Sequence, residues 1–370
     1  MLGQPPIWLI LIAFVCALGP LVFFHELGHY LVARWFRIPA EIFSIGFGRE
    51  LIGWTDKQGT RWKVAWIPLG GYVKFIGDMT SASNPADLDE IPPELRDRAF
   101  QIRPVWQRFL VVLAGPVANF ILAIAIYVAF FSLYSAPLSN RVGSIQPKSA
   151  AATAGLQPGD RIIAVGGAKT ETFNDIRAAV EPLPHHSVTV VFERDGGPSE
   201  VRLTIGAETL KDTTGKNVTV GLLGISPAPV PVTEAIPMAI TYTSRITAAV
   251  IESVAKLVIG EGSREDVGGP IKIAQVAGQA ASLGVLPFID LLALFSINLG
   301  FINLLPVPML DGGHLFFYAV EAILRRPLSA RALDWAFRGG LALILALVAF
   351  TTINDLGSIG LWDRLQRLIG

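Results

Sequence analysis

Residues 6–33 form an apolar run long enough to cross a bilayer, yet FFHELGHYLV (23–32) sets two histidines and a glutamate inside it. A spanning helix needs about 20 apolar residues. A carboxylate at the bilayer centre costs roughly 2.5 kcal/mol or more even on the gentlest scale. Such a cluster persists only where something compensates it. On a helix, positions i and i+4 share a face, so His25 and His29 can reach one metal ion. Glu26, beside the first histidine, is then placed to act as a general base toward water. Zinc suits this donor set: imidazole nitrogens at about 2.0–2.1 Å, no redox role and an open position for water.

The rest of the chain agrees with a membrane setting. Of its 370 residues 52% are hydrophobic and only 16% charged, where soluble domains are nearer a quarter charged. Three further apolar segments stand out at about 107–134, 286–323 and 339–353, the third interrupted by prolines. Four spans place both termini on one side. Short loops carrying Arg34, Arg37, Arg103, Arg108, Arg325, Arg326 and Arg331 are expected in the cytoplasm. The long stretch 135–285 and both termini are then expected outside. Lys+Arg equals Asp+Glu, which argues against nucleic acid as a partner. The single cysteine, Cys16, allows neither an internal disulfide nor a cysteine-based metal site. Residues 1–20 fit a cleaved signal peptide poorly, because no positive region precedes the apolar run.

Between the first two spans, 41–78 alternates β-branched and aromatic residues with glycine-rich turns and reads as strands and hairpins. A charged, proline-containing loop, Asp87 to Arg98, is expected after it. Residues 141–206 read as a small β-rich domain with one helix around NDIRAAVE. Residues 232–260 hold Glu234, Arg245, Glu252 and Lys256, too many charges for a hydrocarbon core, so an interfacial helix is expected, with a fifth span as the alternative.

A catalytic zinc site needs a third protein ligand. NLGFINLLPVPMLDGGHLFF (298–317) holds the other charged residue at comparable depth, Asp311. Pro306 and Pro308 break the helix just before it, and irregular backbone at this depth must be buried in protein or line a wet cavity. Asp311 could also serve as a helix cap, and His314 could ligate in its place.

These residues resemble the site-2 protease family of intramembrane zinc metalloproteases, most closely the bacterial regulator-of-sigma-E proteases. HELGH is similar to the family's first motif and NLLPVPMLDGGH to its second. RFLVVLAGPVANF (108–120) looks like its second span, with Gly115, Pro116 and Asn119. IPLGGYVKFIGD (67–78) looks like its membrane-reentrant β-hairpin, and AGLQPGDRIIAVGG like the core of a PDZ domain. The chain departs in having room for one PDZ domain rather than two, and in Arg49 where the hairpin's GFGR usually has proline.

The resemblance implies a polytopic α-helical membrane protein of four transmembrane helices, with a membrane-associated β-hairpin region and one inserted extracytoplasmic PDZ-like α+β domain. Its parts would be core residues 1–134, PDZ-like residues 135–225, interfacial amphipathic helices 226–285 and a second core part, 286–370. His25, His29 and Asp311 would hold Zn2+ and Glu26 would be the catalytic base. Asn298, Asn303, Pro306, Pro308, Gly70 and Gly71 would contact the substrate, with residues 62–76 as a strand edge for β-addition. The substrates implied are single-span membrane proteins, such as anti-sigma factors after a first cleavage or remnant signal peptides, cut within the lipid bilayer of the bacterial inner membrane. Two other classes fit parts of the pattern: a membrane-anchored PDZ scaffold without catalysis, and a metal transporter. The first has no need of Glu26; the second usually shows internal repeats, and none is found here.

Overall fold

The computed structural model describes residues 5–77, 93–211, 217–261 and 268–358, so the first half of the charged loop expected after the hairpin region, 87–92, lies outside the described residues. In chain order the elements are α1 (Ile7–Trp35), β1 (Ala40–Thr55), β2 (Arg61–Phe75), α2 (Pro93–Arg96), α3 (Val105–Leu133), β3 (Val142–Ile145), α4 (Ala150–Thr153), β4 (Arg161–Val165), β5 (Ala168–Lys169) and α5 (Phe173–Val180). There follow β6 (Ser187–Arg194), β7 (Gly197–Thr204), β8 (Gly206–Lys211), β9 (Asn217–Leu222), β10 (Ile225–Pro227), α6 (Val232–Val258), α7 (Pro270–Leu283), α8 (Val285–Leu304), α9 (Asp311–Leu324) and α10 (Ala330–Ser358). Two compact units emerge: 1–123 together with 245–370, and 124–244.

In the first unit, α1, α8 and α10 are long and apolar enough to cross a membrane, as is α3, which runs on past its boundary. The third expected span divides at its prolines into α8 and α9, because a proline ring cannot continue the helical hydrogen-bond ladder. The fourth is longer than its apolar stretch suggested, starting at Ala330. Along α1 the buried positions Ala13, Ala17, Leu21, His25, His29 and Ala33 recur every four residues and face protein. Ile7, Trp8, Leu11, Ile12, Leu31 and Trp35 are exposed, the face expected against lipid. The helix α7, expected with α6 at the membrane interface, packs Ala277 and Ala280 into one cluster with Ala13, Ala17 and Leu291 of α1 and α8. Small residues make that close approach possible.

The β region is one folded-back hairpin rather than several short ones. Ile42–Ile45 of β1 lie opposite Lys74–Gly71 on one side and Arg61–Val64 on the other. Residues 71–75 therefore form an outer edge of this sheet, with β1 on their inner side. The hairpin's turn is set by Asp56, whose Oδ1 accepts from the amides of Gln58 (2.8 Å) and Thr60 (3.0 Å). Tyr30 of α1 donates its hydroxyl to Asp56 Oδ2 at 3.1 Å and Trp62 donates its indole N–H to the same oxygen at 3.0 Å. Phe43 stacks on Trp62 with centroids 4.2 Å apart. Together these contacts tie the hairpin to the histidine-bearing helix.

The second unit is α+β. Its sheet runs β5-β4-β6-β7, with β3 paired to β10 and β8 to β9. Alternation in β6 buries Val188, Val190 and Phe192 against Ile162, Ile176 and Val180. Thr172 and Asp175 form a capping box that starts α5 where the sequence looked helical. Asp160 is buried beneath Arg194, whose Nε and Nη2 donate to its two oxygens at 2.7 Å each. Pairing of β10 with β3 extends the strand-bearing part to Pro227, two residues beyond the expected 225.

Candidate metal centre

His25, Glu26 and His29 lie on the buried face of α1. Asp311 opens α9, its backbone following the extended residue Leu310. The loop before it can tuck tightly under α9 because of Gly312 and Gly313. A Cβ on Gly312 would overlap Leu304 and Leu305, and one on Gly313 would meet Val307 and Pro308. Pro306 and Pro308 thus shape the approach of Asp311.

Three donor atoms converge. His25 Nε2 is 3.0 Å and His29 Nε2 3.6 Å from Asp311 Oδ2, and the two Nε2 atoms are 3.3 Å apart. A tetrahedral zinc with bonds near 2.0–2.1 Å separates its ligand atoms by about 3.3 Å. Asp311 Oδ2 is buried and has no hydrogen-bond donor of its own. Both imidazoles meanwhile use their Nδ1 atoms elsewhere: His29 Nδ1 donates to the Val111 carbonyl at 2.9 Å, and His25 Nδ1 lies 3.1 Å from the Asn119 amide. Three potential ligand atoms face one spot while the far ring nitrogens are held from behind. That is the arrangement a zinc ion fits, and the buried, orphaned carboxylate oxygen is costly without one.

These donors open on a cavity of about 260 Å³, lined also by Glu26, Gly70, Gly71, Tyr72, Val73, Phe75, Asn303, Met309 and His314. Of the residues expected here, His25, Glu26, His29, Asp311, Asn303, Gly70 and Gly71 are brought together. Asn298, Pro306 and Pro308 do not line the cavity. His314 lines it but stands outside the three-ligand cluster, packed against Phe337 and Tyr318. Motif spacing does not reveal the contacts that α3 makes to both imidazoles. Their signals were a glycine and an asparagine in an otherwise apolar span. Gly115 lies so close beneath the His29 ring that an added Cβ would overlap it, and Asn119 is fully buried.

A second cavity, of about 200 Å³, lies within the inserted unit between α5 and the β8–β9 pair, lined by Phe173, Ile176, Val180, Leu210 and Leu222 among others.

The model of Peptidase family M50 matches residues 13–347. A provisionally named zinc metalloprotease of Agrobacterium fabrum is 42% identical over 366 residues, covering 94% of this chain and 96% of its own length. Another from Rhizobium meliloti is 42% identical over 358 residues, with 93% and 95% covered. Metalloprotease MmpA of Caulobacter vibrioides is 37% identical over 379 residues, with 94% and 95% covered. Among solved structures, the PDZ domain of an SdrC-like protein from Listeria monocytogenes is 16% identical, covers 24% of this chain and 87% of its own, and has a TM-score of 0.19, too low to assign the fold of the inserted unit.

Proposed function

Since this chain belongs to peptidase family M50, the site-2 proteases, and is a multi-pass membrane metalloprotease that uses zinc, we propose that it hydrolyses peptide bonds within the transmembrane segments of single-span proteins. The observation that carries this reading is the convergence of His25, His29 and Asp311 beside Glu26 in a buried cavity bounded by a strand edge. The three ligands would hold zinc, which when bound polarises the scissile carbonyl and acidifies water. Glu26 takes the proton from the attacking water and delivers it to the leaving amine, a role worth about 10²–10⁴ in rate. Its burial among the ligands keeps that proton transfer apart from bulk solvent.

A helical substrate hides its peptide bonds in internal hydrogen bonds, so it must unwind, and the exposed amides then need partners. Residues 71–75 supply them by β-addition along the outer edge of the sheet, where the Val73 backbone already hydrogen-bonds Glu26. Gly71 keeps that edge low beside Val22 and Glu26, and Gly70 leaves room for the Phe47 ring. Asn303 lines the cavity and is placed to hydrogen-bond the unwound chain. Pro306 and Pro308 lie in the loop between α8 and α9 that leads to Asp311, while Asn298 stands within α8. Anti-sigma-factor-like proteins after a first cleavage, and remnant signal peptides, are the substrates this chemistry suits. The apolar cavity against α5 supports a PDZ-like role for the inserted unit in holding an extended peptide. On the arginine bias of the short loops, we place both termini and the inserted unit outside the cytoplasm, in a bacterial inner membrane. The charges of Glu234, Arg245, Glu252 and Lys256 support an interfacial position for α6.

Glu26→Gln tests the reading. It should keep stoichiometric zinc and let single-span fragments accumulate in membranes. Identical fragment patterns in wild type and variant would remove the proteolytic role.

A further inference from the structure

We infer that Asn119 is a positioning residue that fixes which nitrogen of His25 faces the metal. The inference rests on the metal centre proposed above and concerns how one ligand is prepared for it.

An imidazole offers a metal one lone pair only when its other nitrogen carries the proton. For His29 that proton is directed by a backbone carbonyl, since Nδ1 donates to Val111. His25 has no such carbonyl at its Nδ1; the atom there is the amide of Asn119, 3.1 Å away. The two partners lie eight residues apart on α3, facing histidines four apart on α1, so one helix holds both rings from behind. Asn119 is fully buried, and its own backbone carbonyl accepts a 2.7 Å hydrogen bond from the hydroxyl of Ser296, itself fully buried on α8. Its backbone is thus anchored at the level of the ring.

The decisive atom is Asn119 Oδ1. With Nδ2 turned toward His25, Oδ1 is buried with no donor. An amide's two ends have nearly the same shape, and half a turn about its last bond exchanges them. Turned that way, Oδ1 accepts from His25 Nδ1–H. The Nε2 lone pair then points at the spot it shares with His29 Nε2 and Asp311 Oδ2, within 4.8 Å of both. An amide donating to Nδ1 would instead leave a proton on Nε2, where the metal belongs. Metal-ligating histidines generally donate their second N–H to an oxygen, and losing that oxygen typically costs 10–100-fold in metal affinity.

The test uses the full chain purified in detergent, with zinc affinity measured by chelator competition and Co2+ substitution read by its visible ligand-field spectrum. Asn119→Leu should weaken Zn2+ binding 10–100-fold and alter the Co2+ spectrum. Asn119→Asp, which can only accept, should keep affinity within about threefold of wild type or tighten it. Wild-type affinity in Asn119→Leu would overturn the inference. So would a tenfold or greater loss in Asn119→Asp, and that variant decides the matter even where the leucine variant does not fold. His25→Ala and Asp311→Ala are the controls for the parent reading. If they bind zinc as wild type does, the metal centre itself is misassigned; if they lose it while Asn119→Leu does not, only the role of Asn119 falls.

Discussion

Gly115→Ala offers the sharpest test of the geometry, because helix propensity and the metal site oppose each other there. Alanine is favoured over glycine in a helix interior by about 1 kcal/mol, so on local grounds the change should stabilise α3. In place, however, the new Cβ would overlap Nε2 and Cε1 of His29 and stand 2.9 Å from Cδ2, closer than real Cβ atoms approach anything. The ring must retreat by about 1 Å to recover ordinary contact. A zinc ligand tolerates about 0.2 Å, and the 2.9 Å bond from His29 Nδ1 to Val111 would stretch with it. We expect overpacking of about 1–3 kcal/mol, partly offset by the propensity gain, so the chain still folds. Zinc affinity should fall about 100-fold or more, which corresponds to about 2.8 kcal/mol, and fragment cleavage should fall with it. The assay is chelator competition on the purified protein beside thermal unfolding in the metal-free state. Stoichiometric zinc bound within threefold of wild-type affinity would refute the placement of α3 beneath His29.

Gly71→Ala puts a Cβ 2.6 Å from Val22 Cγ1 and 3.1 Å from Glu26 Cγ. It should spare zinc binding and lower cleavage through the strand edge, and an unchanged cleavage rate would remove that edge from substrate contact. In the inserted unit, burial raises the pKa of Asp160, but the hydrogen bonds and charge of Arg194 and the Gln157 amide outweigh it, so the carboxyl titrates below its usual range. A depressed carboxyl adds stability above its unfolded value of about 3.9 and loses it as pH falls through the lower folded value. Arg194→Gln should therefore destabilise this unit near pH 7, by an amount that solvent screening of the 30% exposed Arg194 side chain reduces. The gap should narrow below about pH 4, read by hydrogen exchange in β4 and β6; a pH-independent gap would contradict the ion pair. Asp355 accepts from the amides of Gly269 and Lys272 at 3.0 Å each and so caps α7 from α10. Asp355→Ala should cost about 1–2 kcal/mol in thermal unfolding without changing zinc affinity, and a loss of zinc would mean that α7 bears on the metal centre.

Composition and spacing were enough to reveal four apolar spans, because crossing hydrocarbon is a demand on length and polarity that any sequence displays locally. The pairing of His25 with His29 was legible for the same reason: the helical repeat alone puts them on one face. Asp311 could be matched to them because a carboxylate behind two prolines in an apolar segment must be compensated by groups within the protein. Which strand became the outer edge beside the site was decided elsewhere, since β1 lies between two stretches of β2 and that pairing is set by contacts distant in sequence. The division of 286–323 into α8 and α9, and the docking of α7 on α1, likewise depended on which faces met. So did the backing of the two imidazoles. Val111 holds His29 through a carbonyl that every residue possesses, and Gly115 matters because of a side chain it lacks. Neither has a chemical signature in one dimension. Hydrogen bonds to backbone and close steric approach arise only when helices pack, so the reactive groups could be named from the sequence while the parts that aim them had to await the tertiary structure.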